Sequence, residues 1–519
     1  MHALLLHPDY PQSFWSFEVI LGLLGKKSHS PPLGLLTVAA LLPDDWTFTL
    51  VDERIAQPTE SQWSECDIVL ISGMHVQRTC ILKGIKEAKK RGKRVVIGGP
   101  WVFHHADQAL EAGADIVAIG EAEYMMDELL TAIKEEKSGH VIKAEIGKDL
   151  ETTPVPRFDL IDMNNYLEMD LQFTRGCPFH CEFCDVTLMF GKKARTKSAE
   201  QIIKELNVLY ERGWSGYVFF VDDNFVSVPG RAKKVLKAVA EWQAERGYPF
   251  LFTTQASVNL ADDDELLELM VKAGFFRVFL GIESTDVESL LLAKKGQNAK
   301  RDLVEVCTKV CKAGLQIIAG CILGFDNEKA GAGDRIRLFA EQSKIADVFI
   351  TILQAPPGSL LWKRLENEGR SPFETTGGNE GNSACLMNFE PTRPVEEIVD
   401  EFIAAYDVLY EPNAYLERAY AQFRMMDPLP YNAPIKVPKF NELKAMFVVA
   451  LRQGLLRNTR FTFWKLMLKA LWNFPERLDK FIASAVFLEH LYEFKQTIAK
   501  ELRNQLTERK EMVKAAAGD

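Results

Sequence analysis

Thr174-Arg-Gly-Cys177-Pro-Phe-His-Cys181-Glu-Phe-Cys184-Asp185 sets three cysteines within eight residues. The stretch follows the apolar run Leu171–Thr174, which reads as a strand, so it lies on a loop at that strand's carboxyl end. Active sites of βα barrels sit at that end. A cubane iron–sulfur cluster normally takes four thiolates. A loop that offers three leaves one iron open to substrate or cosubstrate. The alternative is a structural zinc, which prefers a closed set of four ligands. His180 would have to be the fourth, and it stands inside the loop between two of the cysteines, where the geometry is awkward.

Downstream, short apolar runs alternate with helical stretches. Strands are expected at Leu171–Thr174, Tyr217–Val221, Phe250–Thr254, Arg277–Leu280, Gln316–Cys321 and Val348–Leu353, with helices such as Ser198–Arg212 and Asp262–Ala273 between them. Six βα units predict a partial (β/α)6 barrel rather than the eight of a closed one. Polar residues gather at the strand ends: Asp222, Asp223 and Asn224, then Gln255, then Glu283 and Ser284, with Ile322 between Gly320 and Gly324. Alone, each is ordinary turn chemistry; in register after a cysteine loop they point to a site.

Upstream, strands are expected at Met1–His7, Phe48–Val51, Asp67–Ser72, Arg94–Ile97 and Asp115–Ile119, with helices at Pro32–Leu42 and Ile81–Arg91. Buried apolar strands separated by helices predict an α/β, Rossmann-like doubly wound domain. Its ligand would lie beyond the carboxyl ends of the strands. Those ends carry Ser72-Gly-Met74-His75-Val76-Gln77, Gly98-Gly99-Pro100 and Gly120-Glu121-Ala-Glu123, whose glycines let a backbone approach a ligand closely. The adjacent His104 and His105 do not form a metal pair by themselves, because neighbouring side chains diverge. Cys307 and Cys311, at helical spacing, read as small buried apolar residues. The expected organisation is a doubly wound domain over 1–135, a linker over 136–169, the barrel over 170–390 and an α-helical C-terminal domain over 391–519.

The chain has 519 residues and a net charge of −10, which argues against a general nucleic-acid binder. No leader peptide and no apolar run of about 18–20 residues is found, so a cytoplasmic protein is expected. Nine cysteines are too few for a disulfide scaffold at this length. Residues 452–480 carry seven Arg or Lys with Phe461, Phe463, Trp464, Leu468 and Trp472 interleaved. That pattern fits a core helix with snorkelling cations, or peripheral contact with the inner face of a membrane.

The CxxxCxxC spacing with Phe183 before the last cysteine resembles the signature of the radical SAM superfamily. The resemblance implies a [4Fe–4S] cluster on Cys177, Cys181 and Cys184 whose open iron chelates S-adenosylmethionine, cleaved reductively to a 5′-deoxyadenosyl radical. Phe183, Asp222, Asp223, Asn224, Gln255, Glu283, Ser284 and Ile322 would surround the S-adenosylmethionine. The order of segments resembles cobalamin-binding domains fused to such barrels. By that likeness Met74, His75, Val76, Gln77, Gly98, Gly99, Pro100, Gly120 and Glu121 would contact the corrinoid. The DxHxxG motif that supplies an axial histidine in cobalamin mutases is absent, so base-off cobalamin without a histidine ligand is expected, His75 being the nearest candidate.

Ser72-Gly-Met-His75, Val221-Asp-Asp-Asn-Phe225, Gln354-Ala-Pro-Pro-Gly358 and the helical tail together resemble the hopanoid C-2 methylase group and its uncharacterised relatives, over most of residues 1–390. This resemblance implies methyl transfer to an unactivated carbon of a lipid or other small molecule, with a reducing protein such as flavodoxin or ferredoxin as electron donor. A cyclase, oxidase or ring-remodelling enzyme of the same superfamily, and a non-catalytic iron–sulfur or corrinoid-binding regulator, remain alternatives. The helical tail is expected to be a third wall of the cleft, removable without loss of the cluster.

Overall fold

The computed structural model describes residues 1–371, 385–431 and 438–517, with backbone alone over 512–517. β1 (His2–His7), β2 (Thr47–Asp52), β3 (Ile68–Ser72), β4 (Arg94–Gly98), β5 (Ile116–Ile119) and β6 (His140–Lys143) form one parallel sheet in the order β2-β1-β3-β4-β5-β6. Its strands are apolar on both faces because helices cover both. Leu4, Leu6, Val69 and Ile97 pack to one side, and Ala3, Leu5, Leu70 and Val96 to the other. β6 corrects the expected linker: it lies inside 136–169 and pairs with β5. Only Ile142 of its four residues is buried, so it offered no apolar run to read.

A second sheet comprises β7 (Glu168–Leu171), β10 (Gly216–Phe220), β11 (Phe250–Ala256), β12 (Phe275–Glu283), β13 (Gln316–Leu323) and β14 (Asp347–Ile352), all parallel in that order. It is an open, six-stranded partial barrel. Between β7 and β10 runs a short antiparallel ribbon, β8 (Thr174–Arg175) with β9 (Arg195–Thr196). The first barrel strand thus starts three residues earlier than expected. Two of its four residues are the buried carboxyls Glu168 and Asp170, which hide the strand from a hydrophobicity reading.

The segment after β1 closes the side of the barrel left open between β7 and β14. Ser28 bridges to Tyr166 just before β7, and His29 Nε2 lies 3.1 Å from Glu168 Oε1. Phe14 and Trp15 pack on Phe349 of β14, with ring centroids 4.8 and 5.1 Å apart. Burial pushes the His29 imidazole down to about 3 and the Glu168 carboxyl well up, so the pair is a neutral hydrogen bond. Asp170 beside it is pushed up to about 8 by burial, against a hydrogen bond from Ser30, and its Oδ1 has no partner among the described residues.

The helices Val395–Leu409, Pro412–Met425, Phe440–Leu451, Arg460–Asn473 and Leu478–Ala517 are not a removable wall. β14 is an edge strand whose outward N–H and C=O groups need partners. Tyr410 Oη accepts from Val348 N at 3.0 Å and donates to Val348 O at 2.6 Å, and Tyr406 Oη bonds Ile350 in the same way. Tyr415 donates to Asp347 Oδ1 at 2.6 Å, and His490 Nε2 lies 3.0 Å from Phe14 O. The expectation that the tail could be deleted with the cluster retained is therefore corrected: deletion would strip the barrel's edge and expose its core.

Two outcomes follow. Tyr410→Phe leaves both Val348 backbone groups buried without that partner, and should destabilise the protein by about 1–3 kcal/mol, read as a lower denaturation midpoint. Asp170, held protonated by the fold, favours the native state at low pH; that stability is lost as pH rises through about 8. Asp170→Asn should therefore lose less thermal stability than the parent between about pH 6.5 and about pH 8.5. An unchanged pH slope would show that Asp170 is already ionised.

Candidate active site between the two sheets

The cysteine loop leaves β8 through Gly176, whose φ is +86°; a Cβ there would stand 3.0 Å from Gly191 O and 3.1 Å from Phe190 O. The loop is strapped by residues the sequence assigned to S-adenosylmethionine. Asp222 Oδ1 accepts from Phe173 N at 2.7 Å and Thr174 N at 2.9 Å, and Asp223 Oδ2 accepts from Gly176 N at 2.9 Å. Burial raises these carboxyls to about 7 and about 6, against the same N–H groups. Asn224 donates to Ser257 Oγ at 2.9 Å, and its amide lies 4.0 Å from Cys177 Sγ. On the other flank Arg364 grips Glu182 through two bonds of 2.9 and 3.0 Å. Phe183 sits edge-on to Phe325 at 5.7 Å.

Cys177, Cys181 and Cys184 are part-buried free thiols at one face of the barrel. Burial pushes all three up. The Lys295 ammonium opposes this at Cys177 and Cys181; it is anchored to Glu283 at 2.6 Å. The three sulfurs are not gathered within 4.8 Å of one another; among the described residues only His75, His104 and Asp185 bring three such atoms that close. Tetrahedral zinc with Zn–S of about 2.3 Å would draw its sulfurs to about 3.8 Å. A cubane takes each thiolate on a different iron, which three thiols spaced along one loop can supply. Glu283 takes a left-handed φ of 65°, Asn298 Nδ2 donates to Gly281 O and Ile282 O, and Ser284 is buried with its Oγ accepting from Asp286 N. Gln255 and Ile322 end β11 and β13 on the lumen side, half-buried.

The strand ends of the first sheet face this loop. Gly99 has φ +89°, and a Cβ would lie 2.6 Å from Ser72 Oγ, so the turn before Pro100 requires glycine. Gly98 lies beside Ala118, and Gly120, at φ +109°, beside Ala144. Met74 is exposed and Val76 half-buried. Gln77 is buried as a loop staple: its Oε1 accepts from Met74 N at 2.8 Å and its amide donates to Pro8 O. His104, set aside on sequence, meets His75 at 5.4 Å between ring centroids, and its Nε2 lies 3.6 Å from Asp185 Oδ2, one residue past Cys184. Trp101 Nε1 is buried with no partner among the described residues. The glycine-lined rim lets a large flat ligand such as a corrinoid approach the backbone closely.

Glu121 has another task than the corrin contact assigned to it. Arg195 Nη1 lies 2.8 Å from both its oxygens, Arg175 Nη1 lies 2.9 Å from Oε2, and Gly147 N donates to Oε1. Arg175 also holds Glu123 at 2.8 Å. Burial alone would raise the Glu123 carboxyl, but Arg175 outweighs it and holds it below its ordinary value. Sequence reasoning missed Arg175, Arg195, Lys295 and Arg364, since lone cations read as solvated surface. Arg175's place within the motif was the one available signal.

Residues 26–130 match the B12 binding domain, residues 171–335 the radical SAM superfamily, and residues 360–504 a domain of unknown function, DUF4070. The chain is 44% identical to an uncharacterized methyltransferase of Synechocystis sp., over 98% of this chain and 94% of that protein. It is 32% identical to the hopanoid C-2 methylase of Rhodopseudomonas palustris, over 90% and 89%. Two solved structures share the fold. TsrM of Kitasatospora setae, a radical S-adenosylmethionine methyltransferase with cobalamin and [4Fe–4S] cluster bound, has a TM-score of 0.59 at 13% identity, covering 93% of this chain and 98% of that one. OxsB, a cobalamin-dependent S-adenosylmethionine radical enzyme, has 0.61 at 14% identity, covering 99% and 80%. The chain belongs to the cobalamin-binding radical SAM methyltransferase family that includes the hopanoid C-2 methylase, enzymes whose cofactors are a [4Fe–4S] cluster, S-adenosylmethionine and cobalamin.

Proposed function

We propose that this enzyme methylates an unactivated carbon of a lipid or comparably apolar small molecule, held between the strand ends of the first sheet and the barrel mouth. The observation that carries the reading is the meeting of the two candidate cofactor rims: His104, on the helix Val102–Glu111 that follows β4, stands 3.6 Å from Asp185, next to Cys184. When bound, the cluster supplies the electron that cleaves S-adenosylmethionine, and cobalamin carries the methyl group. Cys177, Cys181 and Cys184 would hold the cluster, with Lys295 offsetting the charge of their thiolates. Phe183, Gln255, Glu283, Ser284 and Ile322 would line the S-adenosylmethionine pocket, and Asp222, Asp223 and Asn224 would position its loop. Met74, His75, Val76, Gly98, Gly99, Pro100 and Gly120 would form the corrin rim, with Gln77 bracing it. The apolar substrate class is supported by the kinship with a hopanoid methylase. A protein such as flavodoxin or ferredoxin would deliver the electron.

Anaerobically reconstituted protein should carry about four irons per chain. Alanine at Cys177, Cys181 or Cys184 should abolish both cluster and S-adenosylmethionine cleavage, whereas Cys80→Ala should leave them intact. Cleavage that survives loss of any one of the three would sink the cluster assignment. Bound hydroxocobalamin should show a base-off spectrum that His75→Ala does not change; an imidazole-ligated spectrum lost on that substitution would assign His75 to cobalt. Methyl-labelled S-adenosylmethionine, incubated with enzyme, reductant, cobalamin and a lipid extract, should yield a labelled apolar product by mass spectrometry. Label confined to water-soluble compounds would overturn the substrate class.

A further inference from the structure

Half of the exposed large apolar side chains among the described residues fall within residues 439–473, eleven of twenty-two. Scattered exposed leucines need no explanation, but a contiguous apolar surface marks a contact. The inner side of this hairpin buries Ala445, Val449, Phe463, Leu466 and Ala470. Its outer side presents Phe440, Phe447, Leu456, Phe461, Leu468 and Trp472, which are 67–88% exposed. Phe463, grouped with the surface aromatics on sequence, faces inward.

The same 35 residues hold seven Lys or Arg against Glu442 alone, a charge of +6, so the rest of the chain carries −10 − 6 = −16. Arg452 and Arg457 turn inward to Glu489. Lys439, Lys444, Arg460, Lys465 and Lys469 remain exposed, with no ion pair among the described residues. No helix of the described residues is long and apolar enough to cross a membrane. At 12 and 14 residues, Phe440–Leu451 and Arg460–Asn473 reach about 18 and about 21 Å, short of a bilayer core of about 30 Å.

We infer that residues 439–473 form a monotopic docking surface for an anionic lipid leaflet, with the aromatic and leucine side chains at acyl depth and the lysines among the headgroups. A second copy of the chain is the other occupant an apolar face can take. A two-fold contact would set this patch against itself and bring its five exposed cations, offset only by Glu442, against five more, which charge complementarity disfavours. The surface also reaches the barrel's closure: Asn441 Nδ2 donates to Leu24 O at 3.0 Å, on the helix Glu18–Leu24 that follows Phe14 and Trp15. The inference deepens the lipid-substrate reading and rests on it only for the purpose of docking.

The test is flotation of the reconstituted full chain with vesicles of three parts phosphatidylcholine to one part phosphatidylglycerol, beside pure phosphatidylcholine. Binding is expected to the anionic vesicles and to weaken with salt. Phe461→Ser with Trp472→Ser should lower partitioning about tenfold or more, and Lys465→Glu with Lys469→Glu should abolish the preference for anionic lipid. Both pairs are exposed, so melting temperature and S-adenosylmethionine cleavage should not move. Absence of vesicle binding, or binding indifferent to both pairs, overturns the inference. So does a dimer in light scattering that the Phe461/Trp472 pair dissolves, which assigns the face to a second copy. Vesicle binding with a water-soluble product overturns the lipid substrate and leaves the docking surface; a lipid product without vesicle binding does the reverse.

Discussion

Four charged side chains buried between the two sheets set the geometry on which the chemistry depends. Glu121 and Glu123 leave the end of β5, and Arg175 and Arg195 come from the ribbon β8–β9. Taking such charges out of water is costly, and the pairing repays the cost only when geometry is good and the remaining lone pairs are bonded. Both conditions are met: Gly147 and Thr153 complete the two carboxylates. The cluster is therefore better understood as a register device than as a source of stability. Arg175 stands two residues before Cys177, so the clamp that joins the sheets also fixes where the cysteine loop begins.

The barrel shows the same economy of parts. A six-stranded parallel sheet has two raw edges and an open flank, and water entering there would meet any radical formed at its mouth. At β14 the backbone is capped by hydroxyls of Tyr406 and Tyr410, on the helix Val395–Leu409 and its C-cap, 56 and 62 residues further on. At β7 the cap is the stretch Lys27–His29, where Ser28 O accepts from Leu167 N and His29 O from Glu168 N, each at 3.0 Å, reinforced by the neutral His29–Glu168 pair. The tail and the N-terminal segment then lock each other through His490 and Phe14. Sheet, barrel and tail are one folded body joined by contacts of long sequence separation.

That separation explains what could be read from the sequence. The parallel strands and the cysteine loop were legible because their signals are local: apolar runs of five or six residues, and three thiols within one loop. β6 and the start of β7 were not, because His140, Lys143, Glu168 and Asp170 break the apolar pattern for reasons that lie in other elements. The strand-end polar residues were found, yet Asp222 turns out to bind backbone N–H groups at the start of β8 and Asp223 that of Gly176, where the cysteine loop begins. The type of residue was visible and its partner was not. Glu121 is the sharpest case, since its partners Arg175 and Arg195 are 54 and 74 residues away.

The segment after β1 ties these constraints together and accounts for a missing motif. In cobalamin mutases this loop supplies an axial histidine. Here it is committed elsewhere: Pro8 O is held by Gln77, Arg54 pairs with Asp9 and stacks on Tyr10 at 4.8 Å, and Phe14 and Trp15 enter the barrel flank. Phe17 even accepts a left-handed φ of 48°, an uncommon conformation for a bulky residue, with His29, Phe487 and His490 packed around its ring. Residues 8–17, which form this closure, contain no histidine. The segment where that motif would stand is thus the one whose rings seal the barrel flank.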